Sequence, residues 1–224
     1  MPLCRFKQNP NMVLPLFPLQ SVFFPGESVP LHIFEERYKQ LITDCRQEAQ
    51  TFGIPVYIEN TIAYGTEVQL KDIVNTYADG SMDVVCVARQ VFRVVRFQPV
   101  LEGKSYPGGE IRFLDAVNDA VPVQTEAVYQ ACRELYELMD LPFGPVKREL
   151  FNSYTLAHKM GLSFEQEYSL LQIPGEAARL DFLLDHLRET IRVLQQLNET
   201  RERIEMNGHF RNFDPLDFKD IEPE

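Results

Sequence analysis

The sequence of 224 residues has no tryptophan, only four cysteines and no long apolar run. Its apolar stretches are short, as at Val84–Ala88, well below the roughly 18 residues that a spanning helix needs. Met1–Pro10 has no apolar core of the kind a secretory leader carries, so none is expected. Cys4, Cys45, Cys86 and Cys132 are widely spaced, with no Cys-x-x-Cys or Cys/His pair. A closed zinc site is therefore not expected, and the pattern reads as reduced thiols in the cytoplasm. Basic residues are in deficit: 22 Lys and Arg face 33 Asp and Glu, for a net charge of -11. That balance disfavours phosphate-backbone binding, which needs clustered cations. It also disfavours an anionic membrane surface. At 45% apolar and 25% charged the chain is of ordinary globular composition, which argues against wholesale disorder.

Catalytic motifs are also lacking. Gly103-Lys104-Ser105 resembles the end of a phosphate loop, but the first glycine of that loop would fall at Gln98. Tyr106-Pro107-Gly108-Gly109 follows, where such a loop needs a helix. No Gly-x-Ser-x-Gly elbow and no His-Glu-x-x-His pattern occurs. His32 with Glu35 or Glu36 makes at most a two-ligand cluster, and a hydrogen-bonding role for this histidine is the simpler reading. Asp181, Asp185, Arg188, Glu189 and Arg192 read as a solvated helix face with spaced ion pairs. No metal, no cofactor and no catalysis are expected.

What is present falls into two grammars. Residues 13–19 are apolar but carry Pro15 and Pro18, which predicts an edge or irregular strand. Strands are predicted at Val29–Ile33, Phe52–Ile58, Tyr64–Leu70, Ile73–Tyr77, Met82–Ala88, Gln90–Phe97 and Glu110–Leu114, with a hairpin at Asp79-Gly80. One helix interrupts them at about 35–48, where Phe34, Tyr38, Leu41, Ile42 and Cys45 form a stripe. Many short strands with regular turns favour a nearly closed barrel, because closure removes exposed edges.

The second half reads as helices at Val123–Leu141, at Lys147–Met160, from Ser163 and from Glu176 to about Met206. Ser163 and Gln166 have capping-box spacing. The last helix would be roughly 45 Å long, and part of it would project or pack on another subunit. The fold class is α+β. The division expected is 1–118 for the barrel, 119–206 for the helices and 207–224 for an acidic tail.

The stretch from Leu14 to Tyr38, with Leu14-Pro-Leu-Phe-Pro-Leu, Phe23-Phe24-Pro25-Gly26-Glu27 and Pro30-Leu-His-Ile-Phe-Glu-Glu-Arg-Tyr38, resembles the opening of the Lon protease N-terminal, or substrate-binding, domain. The likeness continues through Phe52-Gly53-Ile54, Tyr64-Gly65-Thr66, Asp79–Val84, Phe92-Arg93-Val94 and Pro107–Glu110. In the helical half it includes Ser163, Gln166, Glu167, Leu170–Gln172, Glu176, Arg179-Leu180 and Leu183, so it covers roughly residues 12–197. The resemblance implies a PUA-like β pseudo-barrel with one helix, followed by a C-terminal helical bundle. It also implies recognition of unfolded or extended polypeptides, with a link to protein quality control. The family's phosphate-loop ATPase and its Ser/Lys peptidase are not found in these residues.

The expected function is a non-catalytic polypeptide- or protein-binding module. Phe23, Phe24, Phe34, Tyr38 and Tyr64 are the candidate contact surface. The alternative is an adaptor that binds a folded partner, or a second copy as a homo-oligomer, through the long last helix and the tail residues Phe213, Leu216 and Phe218. RNA binding by a PUA-like barrel is the weakest reading, since fold analogy alone supports it. Residues 1–118 carry 11 basic and 13 acidic side chains, against 11 and 20 in residues 119–224. The charge argument against nucleic acid is therefore weaker for the barrel than for the whole chain, while the acidic helical half favours basic partners.

Overall fold

The computed structural model describes residues 12–144, 151–155 and 157–209. The strands are β1 (Met12–Pro15), β2 (Ser28–Ile33), β3 (Phe52–Ile58), β4 (Thr61–Thr76), β5 (Met82–Gln98) and β6 (Gly108–Phe113). The helices are α1 (Glu36–Glu48), α2 (Pro122–Leu138), α3 (Phe164–Leu171) and α4 (Glu176–His209).

The six strands form one antiparallel sheet in the order β1-β6-β5-β4-β3, with β2 also on β5. Parallel bridges join Leu16 to Gly53 and Leu19 to Val56, so the segment after β1 reaches β3. That contact closes the sheet into a pseudo-barrel, and Pro15 and Pro18 sit where the regular ladder gives way. The sequence predicts four strands where β4 and β5 are two long ones. Register shifts at Thr66/Val68, Leu70/Asp72 and Ile73/Asn75 carry the pairing across the breaks. The Asp-Gly hairpin is present: Thr76 pairs with Met82, and Gly80 has φ +77°, a conformation that glycine adopts without steric cost.

Tyr38, Leu41, Ile42 and Cys45 form the buried face of α1. They pack with Phe52, Ile54, Val84, Cys86 and Tyr106 in the barrel core. Tyr106 is fully buried, and its hydroxyl donates to Asp44 at 2.8 Å.

The chain does not divide once at 118/119. One compact unit comprises the chain up to Val121 together with Asn152–Leu180, and the other comprises Pro122–Phe151 and the chain from Asp181 onward. The segment 152–180 joins the barrel because Val117 bridges to Gly175 and Tyr154 stacks on Phe24 at 5.1 Å. The tail expected at 207–224 is helical as far as His209; residues 210–224 lie outside the described residues.

The helix expected at 147–160 is not formed over its described part. Asn152–Met160 contains turns and one short 3-10 turn, Ala157–Lys159. Side chains compete here for the backbone. Thr155 Oγ1 accepts from the Asn152 amide at 3.1 Å, Asn152 Oδ1 from the Tyr154 amide at 2.9 Å, and Glu176 from the Ser153 amide at 2.8 Å.

In the second unit α2 and the later part of α4 run in the same direction. Gln124 donates to Asp181 at 3.2 Å, and Gln195 donates to Glu134 at 3.3 Å. Val128, Ala131, Cys132 and Leu135 of α2 are buried, as are Leu183, Leu187 and Ile191 of α4.

Candidate functional site

β5 changes neighbours halfway along its length. β2 is in register with it from Met82 to Val87, and the ladder extends through the Gly26–Ala88 and Ala88–Glu27 bonds. β6 begins at Phe92, after the Leu114 amide donates to the Val91 carbonyl at 2.8 Å. Arg89 and Gln90 fall between the two neighbours, and both are exposed.

A cavity of about 740 Å³ opens at this point. Pro25 and Val91 line it from the barrel, Leu114 and Val117 from the segment after β6, and Ile173 and Pro174 from the chain before α4. This is a mostly apolar concavity with a few polar groups, Arg89, Gln90 and Tyr154 among them, which is the usual character of a ligand site.

Its far wall is held by a buried polar network. Ser153 Oγ donates to Glu176 at 2.7 Å, and Arg179 donates to Glu176 at 2.6 Å and to Ser153 Oγ at 2.8 Å. Arg179 Nη1 also donates to the carbonyls of Ile173 and Pro174, at 2.7 Å and 2.9 Å. The guanidinium lies 4.5 Å from the Tyr154 ring centroid. Each charged group in the network has a partner, the condition on which burial of charge is tolerated. Burial raises the Tyr154 hydroxyl above its usual range, so the cavity presents it as a neutral phenol.

The candidate surface residues are dispersed. Phe24 is fully buried and Tyr38 nearly so, so neither forms a contact surface, which corrects the expectation for both. Phe24 is core because Tyr154 and His158 pack on its ring. Tyr38 is core because Phe17 lies 4.0 Å from its ring centroid. Phe23 and Tyr64 are half-buried. The Phe23 carbonyl accepts from Thr66 Oγ1 at 2.5 Å, and Tyr64 meets Tyr168 edge-on at 6.5 Å. Phe34 is 64% exposed and belongs to a second surface, near β2. Phe213, Leu216 and Phe218 lie outside the described residues. Sequence reasoning missed Tyr154, Val117, Ile173 and Pro174. Its only signal for the cavity was the break between the two β-rich runs at Arg89.

The second surface gathers three rings. His32 lies 6.1 Å from Phe34 and 6.0 Å from Tyr77, centroid to centroid. Asp83 holds two of them: His32 Nδ1 is 2.7 Å from Oδ1, and Tyr77 donates to Oδ2 at 2.6 Å. Asn75 adds a third bond at 3.1 Å. His32 thus takes the hydrogen-bonding role, to Asp83; Glu35 pairs with Arg37 and Glu36 with Lys39.

The phosphate-loop look-alike is a structural loop: Lys104 pairs with Asp44 at 2.9 Å, and Ser105 bonds to Gln40. Among the described residues no group of three His, Cys, Asp or Glu is placed to hold a metal ion.

Residues 13–189 match the family described as the ATP-dependent protease La (LON) substrate-binding domain. Lon protease 2 of Myxococcus xanthus is 26% identical over 221 residues, covering 86% of this chain. The chain spans about a quarter of that relative's length. A crystal structure of a Lon N-terminal domain protein from Xanthomonas campestris superposes with a TM-score of 0.61 at 30% identity, covering 78% of this chain and 98% of the other. The N-terminal domain of the Mycobacterium avium complex Lon protease gives a TM-score of 0.57 at 15% identity, covering 79% and 98%; that likeness concerns the fold alone.

Proposed function

The chain belongs to the ATP-dependent protease La (Lon) substrate-binding domain family, and from that premise we propose that it recognises extended or unfolded polypeptide without itself catalysing a reaction. The observation that carries this reading is the apolar cavity beside Arg89–Gln90. It offers room for an apolar side chain next to a stretch of β5 that neither β2 nor β6 covers. Extended segments bind in this way when backbone pairing supplies affinity and a pocket selects side chains. No phosphate loop or peptidase nucleophile motif stands in the sequence, which favours binding over turnover. Three buried free thiols, Cys45, Cys86 and Cys132, favour a reducing compartment such as the cytoplasm. The role fits protein quality control.

The test is anisotropy of a labelled, carboxymethylated unfolded protein titrated with the full chain. Val117 is half exposed and lines the cavity, so Val117→Asp should weaken binding at unchanged thermal stability. Wild-type protein that gives no saturable signal sinks the reading.

A second reading rests on α4. Val193, Leu197, Ile204 and Met206 are exposed along it, and the first three fall at i, i+4 and i+11. Such a stripe suits a protein partner or a second copy. Sedimentation equilibrium of wild type against the double variant Leu197→Glu/Ile204→Glu decides it. An identical mass for both, with no partner lost, removes the second reading.

A further inference from the structure

The aromatic surface around His32 is separate from the apolar cavity, and its chemistry differs. Phe34 is 64% and Tyr77 47% exposed. The side chains of His32 and Asp83 are 55% and 33% exposed. Large rings left this open are held by the fold, not hidden by it: Asp83 fixes the His32 and Tyr77 rings by hydrogen bonds.

The local charges do not cancel. Glu35 is neutralised by Arg37 and Glu36 by Lys39. Lys39 also donates to the Asp79 carbonyl at 2.9 Å, which brings the hairpin turn beside α1. Among the described residues Asp79 and Asp83 have no Arg or Lys hydrogen-bonded to their carboxylates: Asp79 is bonded to Ser81, and Asp83 to Tyr77, Asn75 and the His32 ring. The hydrogen bonds from Tyr77 first, then His32 and Asn75, hold the Asp83 carboxyl at about 2, so it is anionic at every physiological pH. A carboxylate accepts about four hydrogen bonds. Three partners are in place on Asp83, and a third of its side chain faces solvent.

We propose that the Phe34–His32–Tyr77 surface, with Asp83 at its base, binds cationic side chains of polypeptides, arginine above all. The inference rests on the polypeptide-binding reading and names which side chains a second subsite takes. A guanidinium stacks flat on Phe34 or Tyr77 and donates to a carboxylate from the same plane, whereas an ammonium is a point charge with a tighter water shell. Nucleobases also stack on exposed rings, but their phosphates would meet Asp79 and Asp83. The surface therefore selects against nucleic acid.

The test uses the full chain with three labelled probes: a hexa-arginine peptide, a hexa-lysine peptide and an uncharged unfolded polypeptide that carries no Lys, Arg, Asp or Glu. Wild type should bind hexa-arginine more tightly than hexa-lysine. Phe34→Ala/Tyr77→Ala should weaken hexa-arginine binding by roughly fivefold to thirtyfold, the scale of two exposed cation–π contacts. Tyr77→Phe keeps the ring and should keep most of the affinity. The melting temperature of each variant confirms folding.

Hexa-arginine bound equally by wild type and the double variant would mean attraction to the overall acidic charge, and would overturn the proposal. So would equal loss for the uncharged polypeptide, which would make the surface a general apolar contact, or binding of a labelled single-stranded oligonucleotide by wild type that the double variant loses. Failure of the parent reading registers separately, as absence of wild-type binding to the carboxymethylated unfolded protein.

Discussion

The imidazole of His158 lies 3.2 Å from the carboxylate of Glu27, 131 residues earlier in the chain. Its other ring nitrogen lies 2.6 Å from Glu167. One side chain thus ties the turn after Phe24 to α3, behind the cavity wall that carries Pro25. The Glu27 hydrogen bond is the largest cause raising His158 to about 9, against a smaller desolvation effect in the opposite direction.

A raised histidine stabilises the fold while it is protonated. The contribution is complete below the unfolded value of about 6.5 and disappears as pH rises through about 9. With 38% of the side chain exposed, screening limits the effect to about 1 kcal/mol. His158→Gln should therefore melt lower than wild type at pH 6, and the gap should close by pH 10. A gap that is constant over that range would show that His158 contributes by packing on Phe24 alone. Thermal melts of the two proteins in parallel give the answer.

Arg179 is the second anchor of the cavity. It is nearly buried, and its partner Glu176 likewise. Removing the cation leaves a carboxylate buried with only Ser153 for company, which typically costs about 3–5 kcal/mol. Arg179→Leu should cost that much in urea unfolding, and Glu176→Gln less, because the neutral amide still accepts from Arg179. A double-mutant cycle should show strong coupling between the two sites, as expected for groups in one network.

The start of α3 was legible from spacing alone. Ser163 Oγ accepts from the Gln166 amide at 3.3 Å and Gln166 Oε1 accepts from the Ser163 amide at 2.8 Å, closing the box. Ser163→Ala should cost about 1 kcal/mol. The barrel class, the α1 stripe, the Asp-Gly hairpin and the long last helix were equally local, because each follows from periodicity or turn chemistry within a few residues. The cavity was not. Its walls come from Pro25, Val91, Val117, Tyr154 and Pro174, which only tertiary pairing brings together. Tyr154 was hidden further by a segment whose apolar spacing reads as helix while Asn152, Ser153 and Thr155 bond the backbone into turns. Phe24 and Tyr38 were misplaced for the complementary reason: an aromatic at a turn or on a helix stripe looks the same in sequence whether other rings cover it or solvent does.

The close approach of two barrel strands at Gly65 supplies the last prediction. Gly65 of β4 pairs with Pro55 of β3, and a β-carbon on Gly65 would stand 2.3 Å from Pro55 Cα and 2.4 Å from the Ile54 carbonyl oxygen. Both obstacles are main chain, so no side-chain rotation relieves them, and β3 would have to separate from β4. Overpacked sites of this kind cost about 1–3 kcal/mol or more, and Gly65→Ala should lie at the upper end. Gly144 meets nothing within 4 Å, so Gly144→Ala should be neutral or slightly stabilising through the unfolded chain. Urea midpoints of the two variants against wild type make the comparison. Equal midpoints would mean that β3 and β4 are not paired at Gly65 as described, and that the barrel closes in another register.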